Sequence, residues 1–212
     1  MARPKKITDG QLLASCGQAI GRYGPGFTLA QVAVAAGVAT GTVAGRFGSK
    51  HGLLVALMDS GTAVLAQRMQ DVVRAHDDPV AALRAAVLVM GEGVGDPATA
   101  RNHLAQLGTD LADPVLQQRF ALQRALVRNV LCELVEAAAL PLAPPAPQAA
   151  AILAALANGL VQDWALLMDG QLEERLRSDL DAVLRSWQGG PGADPEPREH
   201  GREMAHHDVA AE

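Results

Sequence analysis

The residues with the most chemistry to offer stand close together. They are Thr40, Gly41, Thr42, Ala44, Arg46 and Lys50, with Thr28 a helix earlier and Arg3, Lys5 and Lys6 at the start of the chain. None pairs a nucleophile with a base. Hydroxyls, a guanidinium, ammonium groups and a glycine-exposed backbone instead suit phosphates and base edges. Arginine alone among them makes a bidentate contact to guanine, threonine reads weakly, and the Ala44 methyl suits a thymine methyl. Gly41 and Thr42 fall near a helix start, where free N–H groups and the positive end of the dipole favour a phosphate. Lys50 falls in the first turn of another helix. It opposes the dipole there, a poor placement for stability and a sensible one beside a DNA phosphate.

Those residues need short helices to position them, and the segment TLAQVAVAAGVATGTVAGRFGSKHGLL from Thr28 to Leu54 supplies the signals. Thr28 and Gln31 form a T-x-x-Q capping box, with Phe27 and Val32 as its hydrophobic staple. Gly37 ends that helix in a left-handed turn. A second short helix is expected over 40–47, with Phe47 packing inward, and a third begins after the cap Ser49. A helix, a tight turn and a helix is the arrangement that lays one helix in the major groove of DNA.

Charge supports the same assignment. Residues 1–58 carry six basic residues and one acid, Asp9, whereas residues 59–212 carry twelve basic and twenty-two acidic, within an overall net charge of −5. A basic first quarter on an acidic remainder points to nucleic acid at one end only.

Composition sets the rest. The chain of 212 residues is 49% hydrophobic with three Phe, two Trp and one Tyr, so helix formers dominate and an all-α protein of about nine helices is expected. Helix one is expected over 8–23. Asp78-Pro79, Asp96-Pro97 and Asp113-Pro114 each place a capping acid before a proline at the first helical position, giving helices over 79–94, 97–109 and 114–140. PLAPPAP (141–147) reads as a stiff linker, with helices over 148–168 and 171–187 beyond it. Residues 189–212 lack an apolar period and read as a disordered tail. Cys16 and Cys132 fall in apolar helical patterns and read as reduced core residues. No signal peptide opens the chain, and the apolar stretch 149–161 is too short to span a bilayer, so a cytoplasmic protein without a membrane is expected.

Catalysis is not expected. The glycine-rich GEGVG (91–95) follows no strand and so is no dinucleotide site. His200, His206 and His207 read as solvated tail, and neither a metal nor a cofactor is expected.

Ala33, Ala36-Gly37-Val38, Gly41-Thr42-Val43, Phe47, Ser49-Lys50 and Leu53-Leu54 resemble the pattern of the TetR family of bacterial transcriptional repressors, over about residues 8–57. The departures lie on the reading helix. Ala39 replaces the usual serine cap, and Ala44, Gly45 and Arg46 stand where the family has tyrosine, a variable residue and histidine. The reading face is thus reduced to Thr40, Thr42 and Arg46, so readout is expected to lean on DNA shape and on the basic arm. A family member that has lost DNA reading and acts as a ligand-binding or protein-interaction dimer is the alternative.

The resemblance implies a DNA-binding head over 1–57 and a ligand-binding and dimerising body over 58–188. It also implies a palindromic operator, a small-molecule effector that shifts helix four, and a homodimer through helices eight and nine. Candidates for the effector site are Met69, Met90, His103, Leu107, Asp110, Phe120, Arg124 and Trp164. Scarce aromatics suggest an aliphatic ligand or a small pocket.

Overall fold

The computed structural model describes residues 7–189. Among these the chain is entirely helical apart from turns: α1 (Asp9–Tyr23), a single 3-10 turn (Gly24–Gly26), α2 (Leu29–Ala36), α3 (Thr40–Phe47), α4 (Lys50–Arg74), α5 (Pro79–Val89), α6 (Pro97–Asp110), α7 (Pro114–Ala138), α8 (Ala146–Leu167) and α9 (Leu172–Gln188). Arg3, Lys5, Lys6 and the expected tail, from residue 190 onward, lie outside the described residues.

Local chemistry sets most helix ends. Thr8 and Thr28 each form a complete capping box, with Gln11 and Gln31 returning the bond. Gly37 closes α2 with φ 67° and ψ 34°, a conformation costly for any side chain with a Cβ. Ser49 accepts from the Gly52 N–H to start α4. Asp78, Asp96 and Asp113 each accept from the second and third helical N–H groups behind a proline.

Three ends differ from expectation by two residues or more, the first being α7, which stops at Ala138 rather than 140, where Ala139 takes a φ of 46°. Helix α5 stops at Val89 rather than Val94, because Gly91, Gly93 and Gly95 follow at once. Gly93 and Gly95 turn into positive φ of 73° and 80°, which ends helical bonding. Helix α8 starts at Ala146, so the proline-rich linker is shorter than 141–147. Pro147 falls at its second position, where no intrahelical N–H is required. The linker is also tied down, with the Leu142 N–H donating to the Trp187 carbonyl at 2.9 Å.

The helices bury two separate apolar cores. The head core gathers Leu12, Cys16, Ile20, Phe27, Val32, Val43 and Leu53 from α1 to the start of α4, with Leu116 of α7 reaching in. The body core gathers Met69, Leu83, Val87, Leu131, Leu153, Leu180 and Leu184 from α4, α5, α7, α8 and α9. Cys16 is fully buried and burial pushes its thiol up to about 12, whereas Cys132 is only half-buried. Helix α4 runs through both cores and is the covalent rod between them.

Helix α8 is long and apolar enough, by length and composition alone, to cross a membrane, contrary to the shorter span inferred from 149–161. Its Ala149, Ala150, Leu153, Ala157, Leu160 and Trp164 lie inside the body core, and the core helix of a water-facing fold passes the same test.

Candidate nucleic-acid interface and effector cleft

The head presents α3 through one anchor. Val43 is fully buried, and Phe47 packs half-buried against the same core. This leaves Thr40, Gly41 and Arg46 exposed and Thr42 and Ala44 half-buried. Ala39 is the N-cap of α3 and makes no side-chain cap. Thr40 is the first helical residue and so does not cap one position later. The Thr42 N–H donates to the Ala39 carbonyl at 2.9 Å, and the N–H groups at the start of α3 have no side-chain acceptor, as an anion site requires. Thr28 uses its hydroxyl in the α2 capping box.

Both cations of this surface have partners within the chain. Arg46 forms an ion pair with Asp9 of α1, and its second nitrogen reaches the Ile7 carbonyl at 3.4 Å. Lys50 donates to the Pro25 carbonyl at 2.6 Å and lies 4.1 Å from the centre of the Phe27 ring. Lys50 is thus half-buried, cinching α4 onto the loop before α2. A phosphate must draw on the remaining donors of each group or displace these partners. Asp9 and Pro25 escaped the sequence reading because they lie 37 and 25 residues from the groups they bind.

Where head and body meet, a cleft of about 350 Å³ opens between α1, α4, α6 and α7. Its walls are chiefly apolar, from Ile20, Leu54, Leu57, Met58, Leu104 and Phe120. Of the sequence candidates, His103, Leu107, Asp110 and Phe120 line it. Met69, Met90, Arg124 and Trp164 do not. Met69 is fully buried in the body core. Met90 packs half-buried against that core just beyond the end of α5. Arg124 is half-buried on α7, one turn past Phe120. Trp164 lines a second groove of about 380 Å³ beside the glycine-rich loop 91–95, and its indole N–H donates to the Gly170 carbonyl at 3.1 Å.

The polar groups of the cleft are unusual for their burial. Asp110 is 6% exposed, and burial pushes its carboxyl above the usual carboxylate range, against the opposing hydrogen bond from Gln106. Gln106 is 4% exposed and donates through Nε2 to Asp110 at 2.6 Å. Its Oε1 is buried without a hydrogen-bond partner. Burial also holds the His103 imidazole below its usual range, favouring the neutral ring. Sequence reasoning missed Gln106, because a glutamine on a helix ordinarily reads as solvated.

Helix α6 joins cleft and head. One face carries Ala100, His103, Leu104 and Leu107 into the cleft. The adjacent face grips α1 and the 3-10 turn, with Asn102 Nδ2 donating to the Gly21 carbonyl at 2.8 Å. The approach depends on two glycines. A Cβ at Gly21 would lie 2.9 Å from the Thr99 methyl, and one at Gly24, where φ is 58°, would lie 3.2 Å from Asn102 Oδ1. Helix α4 is fastened to the body by His51–Asp113 at 3.3 Å, Asp59–Arg119 at 2.9 Å and Thr62–Gln123 at 3.2 Å.

Known proteins carry the same layout. The HTH-type transcriptional regulator BetI of Burkholderia cenocepacia is 37% identical over 194 residues, spanning 86% of this chain and 96% of that protein. A BetI regulator of Burkholderia orbicola matches to the same extent. No family model matches the chain. Among solved structures, a TetR transcription regulator of Haloarcula marismortui superposes with a TM-score of 0.70 at 18% identity, covering 83% of this chain and 95% of that one. The transcriptional regulator FadR of Bacillus subtilis, crystallised in complex with stearoyl-CoA, superposes with a TM-score of 0.68 at 17% identity over 85% and 99% of the two chains. The relative of high coverage, the helix-turn-helix head and the all-helical body together place this chain in the TetR family of ligand-responsive, DNA-binding transcriptional regulators.

Proposed function

We propose that the protein is a homodimeric cytoplasmic repressor that leaves a palindromic operator when a small molecule enters the cleft between α1, α4, α6 and α7. The observation that carries this reading is the double role of α6. A ligand that displaces its cleft face must strain the Asn102–Gly21 clamp on its other face, and the head turns with α1. Packed contacts this close have few continuous deformations open to them, which favours a switch between discrete arrangements.

Division of labour follows the two cores. Residues 1–57 read DNA, with Thr40, Gly41, Thr42, Ala44 and Arg46 toward the groove and Thr28, Lys50 and the arm Arg3, Lys5 and Lys6 toward phosphates. Residues 58–188 sense and pair. Helix α9 turns Leu172, Leu176, Leu180, Leu184 and Trp187 into its own body and keeps Glu173, Glu174, Arg177, Asp179 and Arg185 exposed, with Arg175 and Asp181 half-buried. Helix α8 leaves Ile152, Ala155 and Leu166 exposed, with half-buried Gly159 between them. An apolar stripe broken by small residues suits the close approach of a second copy, with α9 at its margin.

The test is a band shift with the DNA upstream of the protein's own gene, repeated over a range of salt. Specific binding whose salt slope falls by about one unit per subunit in Lys50→Ala supports the assignment of the head. The capless α3 and the engaged Arg46 and Lys50 favour a second reading, a ligand-binding dimer that no longer reads DNA. Absence of any specific shift selects that reading.

A further inference from the structure

The wall of the cleft holds a buried acceptor without a donor. Gln106 lines it, is almost wholly buried, and spends its amide N–H on Asp110, so its Oε1 is left without a partner. The amide is oriented with Nε2 toward Asp110 Oδ1, which accepts at 2.6 Å, and Oε1 on the other side. The remaining polar groups of the lining are Asp110, His103 and Glu92, and Glu92 is ion-paired with Arg68. Neither lysine nor arginine occurs among the lining residues. Lys50, whose charge acts on Asp110, is itself held by the Pro25 carbonyl and the Phe27 ring.

We propose that the effector is a compact apolar molecule, uncharged or cationic, whose head draws the buried Gln106 Oε1 toward the cleft and donates an N–H or O–H hydrogen bond to it beside Asp110. This rests on the assignment of the cleft as the effector site. A buried acceptor left unpaired is costly, and a ligand that satisfies it gains what an isostere without the donor cannot. A carboxylate head meets the opposite situation, the Asp110 carboxyl and an orphan oxygen with no lysine or arginine among the lining residues. Size agrees, because about 350 Å³ lies at the small end of ligand pockets. The single aromatic ring among the lining residues, Phe120, offers no cage for a head that lacks a donor.

The probes are hexanol, hexanamide, hexylamine and hexanoate, titrated calorimetrically into the full-length protein and checked by thermal shift. The three donor-headed probes are expected to bind at least about tenfold more tightly than hexanoate, the size of one buried hydrogen bond. Gln106→Met, which keeps the length and removes the amide, is expected to weaken hexanol by a similar factor. Hexanoate binding as tightly as hexanol, or none of the probes binding the wild type, overturns the proposal without reference to any variant. So does a Gln106→Met protein that keeps the preference. Leu107→Trp fills the cleft and separates the two levels. If the probes still bind that variant as tightly as wild type, the cleft itself is misassigned and the reading of the effector site falls with it.

Discussion

The head and the body treat their polar groups in opposite ways. In the head, Thr8 and Thr28 close capping boxes, Arg46 is held by Asp9, and Lys50 by the Pro25 carbonyl. Its outward offer to DNA is mainly backbone, the start of α3 that Ala39 leaves uncapped. In the body, Asp110 is buried against its own charge and Gln106 keeps an unmatched oxygen beside a cleft. A rigid reader gains from satisfied side chains, because its partner's phosphates sit at fixed spacing. A sensor gains from unsatisfied ones, because only a difference in free energy between empty and filled states can move an equilibrium.

Substitutions can break or sharpen that contrast. Phe27→Ala has the largest expected effect. It removes a fully buried ring from the head core and the surface beneath the Lys50 ammonium. A loss of about 3–5 kcal/mol is expected in denaturant unfolding, with DNA binding lost before the body melts. A single transition that stays cooperative would instead show that the two cores unfold as one.

Gly21→Ala acts on the joint. Its new methyl meets Thr99 at 2.9 Å, and overpacking of this kind costs about 1–3 kcal/mol. More tellingly, operator affinity and its response to effector are expected to change together, measured by band shift with and without ligand. An altered stability with an unchanged response would remove α6 from the signalling route.

Ala39→Ser sharpens the head alone. Ala39 already has the extended cap conformation, φ −73° and ψ 146°, so a serine hydroxyl can cap α3 and add about 1 kcal/mol. If the open N–H groups there bind phosphate, the same change weakens DNA binding while raising the melting temperature.

Asp110→Asn gives the smallest effect and a sign to check. The folded carboxyl titrates above its unfolded value because burial disfavours its charge. Between those two values the native state binds more protons than the unfolded one. Stability is therefore lost as pH rises from the ordinary aspartate range through the raised one. The asparagine variant is expected to lose that slope and to melt higher at neutral pH. A steeper slope in the variant would mean that the carboxylate is stabilised rather than strained.

Much of the fold was legible because its punctuation is local. The Thr28 capping box, the Gly37 turn and three Asp-Pro starts each involve atoms within a few residues, so sequence spacing alone places them. Where a reading failed, a neighbouring signal had competed with the pattern. Apolar residues continued past Val89, but Gly93 and Gly95 took positive φ and ended α5. Prolines suggested a linker to 147, yet Pro147 is tolerated inside the first turn of α8.

The effector candidates divided along the same line. His103, Leu107, Asp110 and Phe120 reached the cleft, whereas Met69, on an equally apolar helix, turned into the core. Periodicity identifies an inner face without saying whether a core or a cavity lies behind it.

The sequence by itself determined the helices, their caps, the helix-turn-helix and the charge division between head and body, since these depend on neighbours along the chain. Only the tertiary structure decided that Arg46 and Lys50 are already engaged, that α6 grips the head through Gly21 and Gly24, and that Gln106 lacks a donor. Each of those facts is a meeting of groups tens of residues apart, or the absence of one. Hydrogen bonds and close contacts act over a few ångströms of space, whatever the distance along the chain.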